Sequence, residues 1–163
     1  MYKTILDKLL KVEGTVAAIA FLCAATAILA DVIGRELFGG GIWGAAKFAV
    51  FGTVTAGFLG IGLATHAGMH LRPQFADSWI PARFEPAMQR ITPLVTAIIF
   101  FFLGVLSFLY VRETFEYGQL APVLDWPMWI IQLVMPYAFF SNGVRNLIYA
   151  LQPDLSPKPA GIF

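Results

Sequence analysis

Four stretches of the chain, 14–30, 48–71, 91–111 and 126–144, contain no Asp, Glu, Lys or Arg. Each is close to the roughly 20 apolar residues that an α-helix needs to cross a hydrocarbon core of about 30 Å. Inside such a core every backbone N–H and C=O must be satisfied within the protein, which leaves helices or closed barrels. The stretches are too long for barrel strands and lack their period-2 alternation. The expected fold is therefore all-α, an integral membrane protein with four transmembrane helices. Composition agrees: 58% of residues are apolar and 13% charged, against roughly 45–50% and 25% in a soluble domain.

The breaks between stretches carry their own signals. Gly39, Gly40 and Gly41 interrupt the chain after the first. Arg72 and Pro73 close the second, because proline disfavours helix at the residue before it. Residues 118–127 form a short loop with two prolines, and Pro127 suits a first helical turn, where its missing N–H costs nothing. Helices are expected near 12–38, 43–69, 90–116 and 127–150, within a single domain over 1–152. Residues 81–90 alternate charge with apolar side chains and suggest a short amphipathic helix lying in the interface. The proline-rich end, 153–163, is expected to be a flexible cytoplasmic tail. The first apolar stretch follows three lysines as a signal peptide would, but it exceeds the usual apolar length of about 7–15 residues and reads as a retained membrane helix.

Orientation follows from where Lys and Arg fall. With a cytoplasmic N-terminus the inside carries Lys3, Lys8, Lys11, Arg72, Arg83, Arg90, Arg145 and Lys158, and the outside Arg35, Lys47 and Arg112. The bias of eight to three places both termini in the cytoplasm. Trp43, Trp79, Trp126 and Trp129 all fall at span ends, where an aromatic belt belongs.

Span two carries Gly52, Ala56, Gly60, Ala64 and Gly68 at steps of four, a face that lets another helix approach closely. The partner is either span one, with Ala17, Ala24, Ala27 and Ala30, or another subunit. Span three, with Ile98, Ile99, Phe100, Phe101 and Phe102, reads as lipid-facing or as a source of packing knobs.

Chemistry-bearing residues are few. Asp31 and Arg35 are four apart and can pair on one helix face, as an interfacial ion pair or as a contact to another subunit. Glu13, near Lys8 and Lys11, reads as a snorkelling, paired carboxylate, with a coupling acid as the alternative. Gln132 and Asn142 are candidates for helix–helix hydrogen bonds. His66 and His70 share one helix face, so they cannot ligate a haem from opposite sides, and two ligands are too few for structural zinc. Cys23 reads as a small buried hydrophobe. No nucleophile–base–acid set or phosphate-binding glycine loop is present, so an enzyme is not expected. No basic run suggests nucleic acid. Glu36, Lys47, Arg112, Glu113, Glu116 and Asp125 on the outer side are either solvated loop charges or a docking surface for an extracytoplasmic protein.

Three segments together carry a family resemblance. Span one ends in Asp31-Val32-Ile33-Gly34-Arg35-Glu36-Leu37-Phe38, followed by Trp43. Span two ends in His66-Ala67-Gly68-Met69-His70-Leu71-Arg72. The third loop and start of span four run from Gly118-Gln119 to Pro127-Met128-Trp129. In order and spacing the chain resembles, over residues 5–150, the DctQ-like small membrane subunit of tripartite ATP-independent periplasmic (TRAP) transporters. It departs from that family at Trp43-Gly44-Ala45-Ala46-Lys47, where acidic residues often follow the tryptophan. The resemblance implies a location in the bacterial inner membrane. It also implies a large multi-span membrane subunit that carries substrate and Na+ sites, and a periplasmic binding protein that delivers an organic acid such as a dicarboxylate or sialic acid. The chain itself would hold no cofactor, brace the large subunit, expected as a separate chain, and help form the docking surface. Asp31, Arg35, Trp43, Arg72, Gln119 and Trp129 would have assembly roles. The alternative is a stand-alone proton-coupled exporter working as a homodimer with Glu13 as its acid. A haem- or quinone-binding anchor is a further rival.

Overall fold

A computed structural model describes residues 2–67 and 85–156. They form helices α1 (Tyr2–Phe38), α2 (Ala45–His66), α3 (Glu85–Glu116), α4 (Met128–Gln132) and α5 (Val134–Leu151), then a 3-10 turn at Pro153–Leu155. The protein is an all-α membrane protein. By length and composition α1, α2 and α3 can each cross a bilayer. The fourth span is divided between α4 and α5.

The division has a local cause. Pro136 has no N–H to donate to the Gln132 carbonyl, and its ring crowds that group. The chain hardly turns, since Leu133 keeps helical angles and its carbonyl still accepts the Tyr137 N–H at 3.3 Å. At the end of α1, Gly39 adopts φ +70° and the Gly40 N–H reaches back to the Gly34 carbonyl at 3.4 Å. This closure suits glycine, which enters the left-handed region without a Cβ clash.

Several boundaries differ from the sequence expectation. α1 starts at Tyr2, not near 12, and its 37 residues span roughly 55 Å. Residues 85–90, expected in an interfacial helix, are the first turns of α3; the rest of that segment, like Gly68, His70, Arg72 and Trp79, lies outside the described residues. The tail is not extended from its start. Leu155 packs on a cluster of Leu6, Ile148 and Tyr149.

The helices pair as two antiparallel hairpins, α1 with α2 and α3 with α5, joined mainly through α2 and α5. Small residues set the approach. At Gly52 a Cβ would stand 2.8 Å from the Ala20 carbonyl and 3.0 Å from the Ala24 Cβ. Between α3 and α5 the fit is reciprocal: the Phe140 ring sits on Gly104 and the Phe101 ring on Gly143. Span three is thus both things expected of it. Phe101 is a knob, while Ile98, Ile99 and Phe102 remain exposed, as a lipid-facing surface would be.

Candidate functional site

The junction of the two hairpins is built by α5. Its exposed positions are Tyr137, Val144, Leu147 and Leu151, a narrow stripe, while Ser141, Asn142, Arg145, Asn146 and Tyr149 are buried. The same periodicity runs along α1, where Leu6, Glu13, Ala17, Ala24 and Asp31 are buried at steps that fit a repeat of seven. Two carboxylates therefore lie on the packing face of α1, one near each end.

Glu13 is 2% exposed and Arg145 0%. Arg145 Nη2 donates to Glu13 Oε2 at 2.7 Å, and its Nη1 donates to the Gly62 carbonyl. The Ser141 hydroxyl donates to Glu13 Oε1. Three helices thus meet on one ion pair. Gly62 leaves room for it, because a Cβ there would overlap the Glu13 carboxylate and stand 2.7 Å from Arg145 Nη1. This corrects the reading of Glu13 as a snorkelling carboxylate served by Lys8 and Lys11, and of Arg145 as an inner-loop cation. The reciprocal Phe–Gly contacts fix the α3/α5 register. That register sets Arg145 level with Ile99, about 12 Å beyond Ile91 at the start of the uncharged stretch. The pair lies within the apolar layer, where unpaired charges are costly. In this cluster Arg145 Nε is buried without a hydrogen-bond partner among the described residues.

The polar seam continues on both sides. The Thr65 hydroxyl donates to Asn142 Oδ1 at 2.8 Å, the helix–helix bond expected of Asn142. The Tyr149 hydroxyl lies 3.5 Å from His66 Nδ1. One turn outward the seam becomes aromatic, with Phe58 edge-on to Phe139 at 5.8 Å. Gln132 departs from expectation: it is buried, but its Oε1 has no hydrogen-bond partner.

At the other end of the bundle Asp31 pairs with Arg35, as the spacing predicted. Its further role was not legible. Asp31 Oδ1 accepts the Ile42 backbone N–H at 2.7 Å and so ties the α1–α2 turn to α1. Asp31 is buried, while the Arg35 side chain is 61% exposed. Beside them, Leu124 packs on Gly44, joining the turn to the 117–127 loop. That loop is held by Ala121 N–H to Trp126 O at 2.7 Å and Met128 N–H to Gln119 O at 2.9 Å. Val123 and Asp125 both take positive φ, 78° and 52°, uncommon for a non-glycine and most so for a β-branched valine.

The remaining candidates divide. Gln119 acts through its backbone, and Trp129 stacks edge-on against Phe115 at 5.5 Å. Gly52 packs on α1, Ala56 and Ala64 are half-buried, and a Cβ at Gly60 would meet nothing within 4 Å. Trp43 is 74% exposed, and Cys23, expected to be buried, is exposed as well. Arg112 pairs with Glu116 at 2.7 Å on the surface; Glu36, Lys47, Glu113 and Asp125 are exposed. Among the described residues no group of three His, Cys, Asp or Glu could hold a metal ion.

The family model described as tripartite ATP-independent periplasmic transporters, DctQ component, matches residues 24–152. The chain is similar to the ectoine TRAP transporter small permease protein TeaB of Halomonas elongata, 29% identical over 142 residues, which cover 87% of this chain and 74% of that protein. No solved structure matches it.

Proposed function

The chain belongs to the DctQ component family of the tripartite ATP-independent periplasmic transporters, and on that premise we propose that it braces the large membrane subunit of a sodium-coupled uptake system. It is a TRAP transporter small subunit in a membrane. The proposed cargo is an organic acid. The relative named for ectoine makes ectoine the first compound to test beside dicarboxylates and sialic acids. In this reading Na+ and substrate sites reside in the large subunit, both termini are cytoplasmic, and the outer charges Glu36, Arg112, Glu113, Glu116 and Asp125 contribute to docking of a periplasmic binding protein.

The observation that supports a bracing role is the Glu13–Arg145 pair. An accessory helix bundle gains from being locked, and this pair joins three helices at a point without solvent access. The stand-alone exporter reading requires Glu13 to exchange protons with water. Its burial, with Arg145 and Ser141 on its two oxygens, speaks against that role. A Cβ at Gly57 or Gly60 on α2 would meet nothing within 4 Å, and in the proposal this part of α2 receives a helix of the large subunit.

The test is a mild-detergent pull-down of the chain from its native membrane with mass spectrometry of what accompanies it. A stoichiometric multi-span protein is the expected result. Recovery of the chain only with itself would turn attention to a homodimer.

A further inference from the structure

Two clefts lie one above the other at the Asp31 end of the bundle. The deeper one, of about 350 Å³, is an apolar groove whose walls include Ala20, Cys23, Phe51, Trp126, Ile130 and Val134. The Thr55 hydroxyl at its edge is bonded back to the Phe51 carbonyl at 2.9 Å. The upper cleft, of about 520 Å³, is lined by Arg35, Trp43, Lys47 and Val123 beside the buried Asp31. Lys47, Phe51 and Thr55 follow one another at steps of four, so they share one face of α2. Lys47 of the upper cleft thus stands on the same helix surface as Phe51 and Thr55 of the groove.

Depth gives the two clefts different surroundings. Asp31 and Lys47 bound the uncharged stretches that begin or end beside them, which marks the upper cleft as the edge of the apolar layer. The groove beneath it opens to hydrocarbon. An exposed lysine beside the Asp31–Arg35 pair, at headgroup depth over an apolar slot, suits an amphiphile with an anionic head. Arg35 uses Nη2 on Asp31, and a guanidinium has five N–H donors, so it retains donors for a second oxygen anion. Lys47 is exposed at the same rim.

We propose that this pair of clefts binds one anionic phospholipid, with its phosphate at Lys47 and Arg35 and an acyl chain along Phe51 and Ile130. The site involves this chain and the bilayer alone, so it does not depend on which cargo the transporter carries. The acyl chain supplies apolar contact and the lysine supplies headgroup selectivity, since a basic side chain at a membrane surface favours anionic lipid.

The experiment uses the full chain in phosphatidylcholine vesicles containing a photoactivatable phosphatidylglycerol with a diazirine in its acyl chain. Cross-linked peptides are mapped by mass spectrometry. Adducts are expected to concentrate around Phe51 and Ile130 over the lipid-facing surface at Ile98 and Phe102. A phosphatidylcholine probe of the same chain length should label the groove about fivefold less, and Lys47→Glu should bring the phosphatidylglycerol signal down to that level. Even labelling of all lipid-facing residues, or equal labelling by both headgroups, overturns the proposal. So does groove labelling that disappears when the chain is purified with its large membrane partner, because the groove then holds protein.

Discussion

Arg145 reaches Glu13 across 132 positions of sequence, with 2.7 Å between Nη2 and Oε2. The contact brings the last long helix to the first, and the Gly62 carbonyl completes it from α2. Removing one member of a buried pair leaves the other charge uncompensated, which costs about 3–5 kcal/mol. Glu13→Gln and Arg145→Gln should each lower stability by that order, measured as unfolding in mixed detergent. Replacing both by apolar residues of similar volume, Glu13→Leu with Arg145→Met, should be milder than either single change. A double variant less stable than both singles would show that the two residues do not act as a pair.

Gly62→Ala tests the same site without touching a charge. The added Cβ would collide with the Glu13 carboxylate and with Arg145 Nη1, 2.7 Å away. Neither side chain can retreat without losing its partner. The expected loss is about 1–3 kcal/mol, as for other overpacked interiors, whereas Gly57→Ala, where nothing lies within 4 Å, should be close to neutral. Equal effects would mean that the crowding at Gly62 relaxes freely.

How much of this was readable beforehand depends on the residue. The apolar stretches and the Asp31–Arg35 pair follow from spacing, and Asn142 stands out as an amide within an apolar stretch, though its partner Thr65 does not. Glu13 left a signal: it stands on the same face of α1 as Leu6, Ala17 and Ala24, where a carboxylate needs a cation. Starting the helix near 12 separated it from Leu6 and grouped it with the lysines. Arg145 left none. It immediately follows an uncharged stretch and looks like an inner-loop cation; only the register set by the Phe101–Gly143 and Phe140–Gly104 contacts reveals its depth. Assigning it to the bundle leaves seven inner cations against three outer ones, so the proposed orientation keeps its basis. The break before α5 was also in the sequence, as Pro136 four residues after Gln132.

Asp31 holds the α1–α2 turn through a different kind of bond, one carboxylate oxygen for Arg35 and one for the Ile42 N–H. Asp31→Asn keeps an acceptor for the amide and loses the ion pair, which is half exposed and therefore weak. Asp31→Ala removes both. Hydrogen exchange at the Ile42 amide should rise little in the first variant and about tenfold in the second, corresponding to a net hydrogen bond of about 1–1.5 kcal/mol. Similar exchange in both variants would assign the turn's order to its glycines instead.

Gly52 and Gly60 lie on one stripe in sequence but in different environments, and that difference separates folding from assembly. Gly52 is pressed against Ala20 and Ala24 of α1, whereas a Cβ at Gly60 meets nothing within 4 Å. Gly52→Leu should therefore break the α1–α2 hairpin and lower the yield of folded chain on its own. Gly60→Leu should leave the isolated chain as stable as before. If the open face of α2 receives a helix of the large subunit, the same leucine blocks close approach, and co-purification of that subunit should fall at least tenfold. The two measurements are thermal unfolding of the purified chain and the ratio of large to small subunit in a detergent pull-down. A Gly60→Leu chain that is stable and still recovers its partner in full would move the interface away from this face, toward the surfaces of α1 or α3.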